Sequence, residues 1–265
     1  MASLLPGAVF QMPVGLLRKL RTRKSGSRYA LPDGICLYAI GDVHGCLDQL
    51  NRILDAIDRD AGSRTAQSRL ILLGDLIDRG PQSAQVIDRV LRGDLPTGDC
   101  DFIMGNHEEV MLDCFHGSVE SYGPWLQFGG AETLASYGIS PRVVLSDSFD
   151  LAAAMREAIP TAHIEFLMSF KDYIRVGDYL FVHAGIRPGV ALDQQSSRDF
   201  RWIRRDFLDA TTDHGYVVVH GHSIVPRIEF HPNRIALDTG CFLTGQLGAV
   251  AIESDTARVI TAKVP

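Results

Sequence analysis

No apolar run in this 265-residue chain approaches the ~18 residues that a membrane-crossing helix needs, so the sequence predicts no stable membrane insertion. Cysteine is scarce. The five residues, Cys36, Cys46, Cys100, Cys114 and Cys241, are odd in number, and none forms a C-x-x-C pair. That excludes a disulfide framework or a structural zinc knot and fits a reducing, cytoplasmic compartment. Acidic residues are missing from positions 1–32, which hold six basic ones: Arg18, Lys19, Arg21, Arg23, Lys24 and Arg28. That segment carries +6 against a chain total of −6, leaving −12 on the remainder, which argues against a nucleic-acid-binding body. The N-terminus also lacks the order of a secretory signal. Its apolar part precedes its charges, and Pro6, Gly7, Pro13 and Gly15 interrupt any helix. The segment 1–32 reads as a flexible basic tail able to touch anionic surfaces weakly, with an organelle-targeting presequence as the alternative. No internal repeat or low-complexity stretch is visible.

What is present is ordinary for a soluble globular protein: 46% hydrophobic and 22% charged residues. From residue 35 the pattern alternates. "ICLYAI" (35–40), "RLILL" (69–73) and "DFIM" (101–104) read as buried strands. The first two are followed by the amphipathic helices "LDQLNRILDAID" and "SAQVIDRVLRG", the third by a helix from about 107. Such alternation predicts βαβ units and parallel pairing. Residues of about 117–170 are helical in pattern and broken by Gly and Pro, like an inserted cap. "DYIRVGDYLFVHAG" then predicts two strands across a Val-Gly-Asp turn, and the rest supplies about five more. The expectation is an α/β fold of two packed sheets flanked by helices, with residues 33–265 as a single domain.

The strand ends carry the chemistry. After the first strand comes "GDVHG" with Asp42 and His44, after the second "GDLIDRG" with Asp75, Asp78 and Arg79, after the third "GNHEE" with Asn106 and His107. Two later strands end in "VHAG" (His183) and "HGHS" (His222). Any one of these is an ordinary polar turn. Five of them gather in the crevice where open α/β sheets bind ligands. Asp42 and His44, at i and i+2 of extended chain, point to one side and can grip one ion. Asp75, with two carboxylate oxygens, can bridge two ions roughly 3.5–4 Å apart. Asn106, His183 and His222 offer an amide oxygen and imidazole nitrogens to the second. Mixed N/O ligands without thiolate suit manganese, with iron or zinc as alternatives, rather than calcium.

In this order, "GDVHG", "GDLIDRG", "GNHE", "HAG" and "GH" resemble the metallophosphoesterase superfamily. The resemblance is to its phosphoprotein-phosphatase branch of serine/threonine phosphatases, including the bacterial and lambda phage enzymes. It spans about residues 36–253, including "RWIRRDFL" and "ALDTGCF". It implies the family's β-sandwich of two mixed sheets and a pair of divalent metal ions. The first ion would take Asp42, His44 and Asp75; the second Asp75, Asn106, His183 and His222. Arg79, Arg204 and Asn106 would hold the phosphate, with Arg205 as the alternative to Arg204. His107 would protonate the leaving group, and Asp78 would hold its imidazole. The resemblance implies direct hydrolysis by a metal-activated water, without a covalent intermediate.

The expected substrates are therefore phosphoserine and phosphothreonine in proteins. Dinucleoside polyphosphate hydrolases are the alternative; their second block usually lacks an Asp at the position of Asp78, which turns the reading towards phosphoproteins. A non-catalytic protein binding metal or a phospho-ligand is the other rival. Cys46 and Arg52 have the C-x5-R spacing of cysteine-dependent phosphatases, but "LDQLN" between them has no Gly and carries a helical stripe, so the match reads as chance. His116, His163, His214 and His231 read as surface or core residues and His220 as structural. Asp238 reads either as a support of the site or as a plain turn.

Overall fold

The computed structural model describes residues 28–140 and 148–262. Most of the basic N-terminal segment thus lies outside the described residues. The first half alternates as expected: β1 (Ile35–Ile40), α1 (Leu47–Ala61), β2 (Gln67–Leu72), α2 (Ser83–Leu91), β3 (Asp99–Phe102) and α3 (Asn106–Phe115). The middle is helical: α4 (Val119–Trp125), a π-helical turn (Leu126–Gly130), α5 (Ala131–Ser136), α6 (Ser148–Ala158) and α7 (Thr161–Met168). The rest holds β4 (Tyr173–Val176), β5 (Tyr179–Val182), α8 (Ser197–Trp202), α9 (Arg205–Leu208) and β6 (Val217–His220). After these come β7 (Glu229–Phe230), β8 (Arg234–Ala236), α10 (Cys241–Thr244), β9 (Ala249–Glu253) and β10 (Thr256–Val259).

These strands form two mixed five-stranded sheets, ordered β10-β9-β1-β2-β3 and β4-β5-β6-β8-β7. β1, β2 and β3 run parallel because helices carry the chain back between them; β9 pairs antiparallel with β1. The pleat explains the layers. In β1, Cys36, Tyr38 and Ile40 face the helices, while Leu37 and Ala39 face the other sheet, where they meet Phe181, Val219 and Ile235. On the far side of the second sheet, Leu180 and Val218 pack on Phe200 and Phe207.

One boundary shifts. The third strand ends at Phe102 rather than Met104, because after the Ile103 N–H bonds Leu72 O of β2 the chain turns to the 171 segment, where the Met104 N–H donates to Lys171 O at 2.8 Å. The helical insertion of 117–170 packs on the helices of the first half. Its helices contact α2 and α3, and its Leu134, Met155, Ile164 and Leu167 sit in the helix-side core.

Asp60, near the end of α1, ties that helix to the central strand β1 and to the edge strand β10 of the first sheet. It accepts from the Tyr38 hydroxyl (2.5 Å), from Arg64 Nε (2.8 Å) and from Arg258. Burial raises its pKa, but Arg64, Tyr38 and Arg258 outweigh it and bring it down to about 2. The unfolded carboxyl titrates near about 3.9, so the stabilisation is complete above that pH and is lost as pH falls towards 2. Asp60→Asn should cost roughly 2 kcal/mol at pH 7 in urea denaturation and flatten the acid limb between pH ~4 and ~2. An unchanged acid limb in the variant would remove Asp60 from that role.

Candidate metal and phosphate site

The strand ends converge as their spacing predicted, and they do so through strained backbone. Among the described residues, six other than glycine have positive φ, and five are His44 (47°), Asp75 (49°), Asp78 (71°), Arg79 (67°) and His222 (62°). Such residues cost roughly 1–3 kcal/mol each and persist only where their surroundings over-determine them. Here the brace is Glu108. Its fully buried carboxylate accepts from the backbone N–H of Asp75 (2.8 Å), Leu76 (2.6 Å) and Gly105 (3.1 Å), joining the loop after β2 to the start of α3. Burial and the neighbouring Asp75 push its pKa up to about 7, yet three amide donors demand the ionised form. Gly105 must be glycine because a Cβ there would strike Asp75 and the Glu108 carboxylate.

Asp75 is the hub. Its Oδ2 lies 3.7 Å from His44 Nε2, 3.3 Å from His183 Nε2 and 3.9 Å from His107 Nε2. His44 and His183 each bond a backbone carbonyl through Nδ1 (Ile77 O and Leu73 O, both 2.8 Å). A carbonyl only accepts, so Nδ1 carries a proton in both. At His183 burial is outweighed by Asp75, which raises the imidazole's pKa. The His44 imidazole, held neutral by burial, turns a bare Nε2 lone pair towards the Asp75 carboxylate. Acceptors facing acceptors at this range leave a place for a cation. Two groups meet the requirement: His44, Asp75 and His107, and Asp75, His183 and His222, with donor atoms within 4.8 Å of one another. His222 Nε2 is buried without a hydrogen-bond partner, and Asn106 Oδ1 lies 3.0 Å from His183 Nε2. Burial holds His44 at about 3 and His222 at about 2, so both are neutral ligands.

The Asp42 carboxylate accepts from the His222 backbone N–H at 3.0 and 3.2 Å. Burial, then Asp238 and Asp75, raises its pKa well above the usual range. Asp238 is buried and its charge bears on Asp42, while its bond from the Gly240 N–H at 2.9 Å is the i to i+2 contact of a turn. Uncompensated carboxylates crowded in this way are the second observation that fits a pair of divalent cations.

The phosphate-facing groups lie alongside. Arg79 Nη2 is 3.2 Å from His107 Nε2, and its guanidinium stacks 4.6 Å from the Phe242 ring centre. Its backbone N–H donates to Gly129 O (3.1 Å), where φ is +111° and a Cβ would strike Arg79. His107 Nδ1 bonds Asp78 Oδ2 at 2.6 Å; Asp75 and Asp78 outweigh burial and raise the imidazole's pKa. Asp78 is fully buried and held by Trp125 Nε1 (2.9 Å) and Thr133 Oγ1 (2.6 Å), both from the middle helices. Arg204 is exposed, and its charge helps keep His222 low.

Glu108, Trp125, Thr133 and Phe242 were not singled out in the sequence. Glu108 had a signal, a glutamate at the third position of a helix beginning after glycine. Trp125 had a weaker one, since a buried indole N–H needs a partner. Of the remaining residues, His163 is buried between Tyr137 (2.8 Å) and Asp88 (3.1 Å). His220 is buried edge-on to Phe207, away from the Asp75 cluster. Cys46 precedes α1 while Arg52 is exposed on it, so the C-x5-R pair forms no phosphate cradle. A cavity of about 640 Å³ opens between the end of α1 and the starts of β2 and β3, and none of the site residues lines it.

With this geometry in hand, the comparisons with known proteins take their meaning. The model of the calcineurin-like phosphoesterase family matches residues 37–243. A symmetrical bis(5'-nucleosyl)-tetraphosphatase of Methylococcus capsulatus is 33% identical over 58% of this chain and 44% of its own length. An asymmetrical bis(5'-nucleosyl)-tetraphosphatase of Bacillus velezensis is 26% identical over 78% of this chain and 85% of its own. The chain spans less than half the length of the symmetrical relatives it matches. The solved structure of a cold-active protein-tyrosine phosphatase from a psychrophilic Shewanella covers 90% of this chain and 85% of its own with a TM-score of 0.54, at 19% identity, which shows a shared fold.

These relatives correct the expectation of a protein serine/threonine phosphatase acting on phosphoproteins: the names they carry are those of the alternative. The reason lies in Asp78. It is sealed beneath His107 and reaches no space a substrate could enter. A residue that orients an imidazole is needed for either leaving group and carries no information about substrate.

Glu108→Ala would strand three buried N–H groups and should cost about 3 kcal/mol or more in chemical denaturation. A loss below about 1 kcal/mol would show that the strained loops hold without it.

Proposed function

The chain belongs to the calcineurin-like phosphoesterase family, and on that premise we propose that it hydrolyses dinucleoside polyphosphates of the bis(5'-nucleosyl)-tetraphosphate class at the Asp75 centre. The observation that carries the reading is the pair of histidine–carboxylate groups sharing Asp75, in a chain whose relatives bear that name. Asp75, His44, His183, His222 and Asn106 would hold two divalent ions, with Asp42 and Asp238 alongside; manganese, iron and zinc suit these donors. When bound, such ions supply Lewis-acid activation of water and neutralise charge on the phosphates.

The chain's own residues do the remainder. Arg79 and Arg204 grip phosphoryl oxygens, Arg79 being fixed by Phe242 and Gly129. A water oxygen bonds to phosphorus, the P–O bond of the anhydride breaks, and its electron pair goes to the departing nucleotide's phosphate oxygen. His107, held by Asp78, is placed to give that oxygen a proton. The departing nucleotide is a weak base, so the proton matters less than it would for an alkoxide.

The test is product analysis with diadenosine tetraphosphate. Turnover should vanish on chelation and return with manganese. ADP alone as product matches symmetrical cleavage, AMP with ATP asymmetrical. His107→Asn should lower kcat about 10²-fold, the lower end for general acid catalysis, with metal content unchanged. Asp78→Asn should act in the same direction more weakly. Undiminished turnover after exhaustive chelation, or no turnover with any of the three metals, would overturn the proposal.

A further inference from the structure

Beyond the reacting phosphate, we infer that Trp202 with Arg198 and Arg205 forms a subsite for a nucleoside and the outer phosphates of the substrate; this rests on the dinucleotide reading above. A cavity of about 230 Å³ is lined by Arg198, Trp202, Ile203, Arg204 and Arg205, with Arg187, Asp199 and Asp206 at its edge. It adjoins the metal site on two counts. Arg204 lies near enough to His222 for its charge to act on that imidazole. Trp202 Nε1 donates to Glu109 Oε2 at 2.5 Å, and Glu109 lies on α3 two residues after His107.

Four arginines and two acids line this cavity, a balance of +2. Both of its acids are taken by Arg187, which bonds Asp199 at 2.7 Å and Asp206 at 3.3 Å. Among the described residues, Arg198, Arg204 and Arg205 make no ion pair, and all three are exposed. Arg79 and Arg204 suffice for the reacting phosphoryl group, so Arg198 and Arg205 are left for a chain of further phosphates. A polyphosphate presents such a chain; a single phosphate ester does not.

Trp202 supplies the second half. Its ring is 40% exposed, while its indole N–H is fixed on Glu109. The element that carries it is clamped at both ends: Ser197 Oγ bonds Asp172 at 2.8 Å, and Arg201 bridges Asp172 and Glu109 at 2.6 Å each. An aromatic plane pinned by its edge, open on its face and set among unpaired guanidiniums is a platform for a nucleobase. Its orientation is settled before binding, so little is lost in ordering it.

The experiment uses the manganese-loaded full chain. There are two tryptophans, and Trp125 bonds Asp78 beside the reacting centre, so Trp202 is reported by the part of the ADP-induced quenching that Trp202→Phe removes. ADP should quench and pyrophosphate, which has no base, should not; absent quenching with ADP would overturn the subsite whatever the enzyme hydrolyses. Trp202→Ala should lower the ratio of kcat/KM for diadenosine tetraphosphate over inorganic tetraphosphate roughly 10- to 100-fold, through KM. Trp202→Phe, which keeps a ring but loses the bond to Glu109, should retain most of that ratio. An unchanged ratio in the alanine variant, or a phenylalanine variant as impaired as alanine, would refute base stacking. Failure of the wild-type protein to hydrolyse the dinucleotide, with quenching intact, would sink the functional reading and leave a nucleotide subsite standing.

Discussion

Burying carboxylates together is the constraint on which the centre of this molecule depends. Asp42, Asp75, Glu108 and Asp238 all lie within the same sealed region, where each raises the cost of ionising its neighbours. The chain answers with several devices. Glu108 is neutralised by three backbone N–H groups. Asp75 is flanked by the His44 and His183 imidazoles, whose Nδ1 protons point the other way, towards carbonyls. Asp42 takes the His222 N–H. What remains is negative potential and lone pairs converging on Asp75, which divalent cations are suited to satisfy.

That arrangement needs backbone shapes that side chains ordinarily avoid, and it draws on the whole fold to keep them. Parallel strands deliver the loops after β1 and β2 side by side, so that His44 N–H and Val43 N–H both bond Asp75 O (2.8 and 3.0 Å). The middle helices then close over Asp78 with Trp125 and Thr133, and Gly129 in the π-helical turn brings a carbonyl to Arg79. Both tryptophans of the chain donate their indole N–H to carboxylates next to the site, Trp125 inward to Asp78 and Trp202 outward to Glu109. The inner pair braces the His107 imidazole, and the outer one lies at the cavity lined by Arg198, Trp202 and Arg205.

This division explains where reading the sequence succeeds and where it misleads. That His44, Asp75, His183 and His222 come together was legible because glycine-bounded polar residues at strand ends follow from local pattern and parallel topology. The contact of Asp78 with His107 was expected only from the family resemblance. Asp78 was misread as a mark of substrate class because burial does not show in a sequence. Trp125 and Thr133 lie 47 and 55 residues from the aspartate they hold, within a helical stretch whose pattern reads as plain core.

The amino-acid sequence by itself therefore determined the βαβ order, the sheet-and-helix layers, and the donor set at the strand ends. These depend on pleat period, helix period and turn chemistry, which act over a few residues. Only the tertiary structure decided that Asp42 takes the His222 N–H, that Glu108 braces the strained loops, and that Trp202 sits open among unpaired arginines beside α3. Those facts depend on which distant segments meet and which groups water can still reach, and no local pattern encodes either.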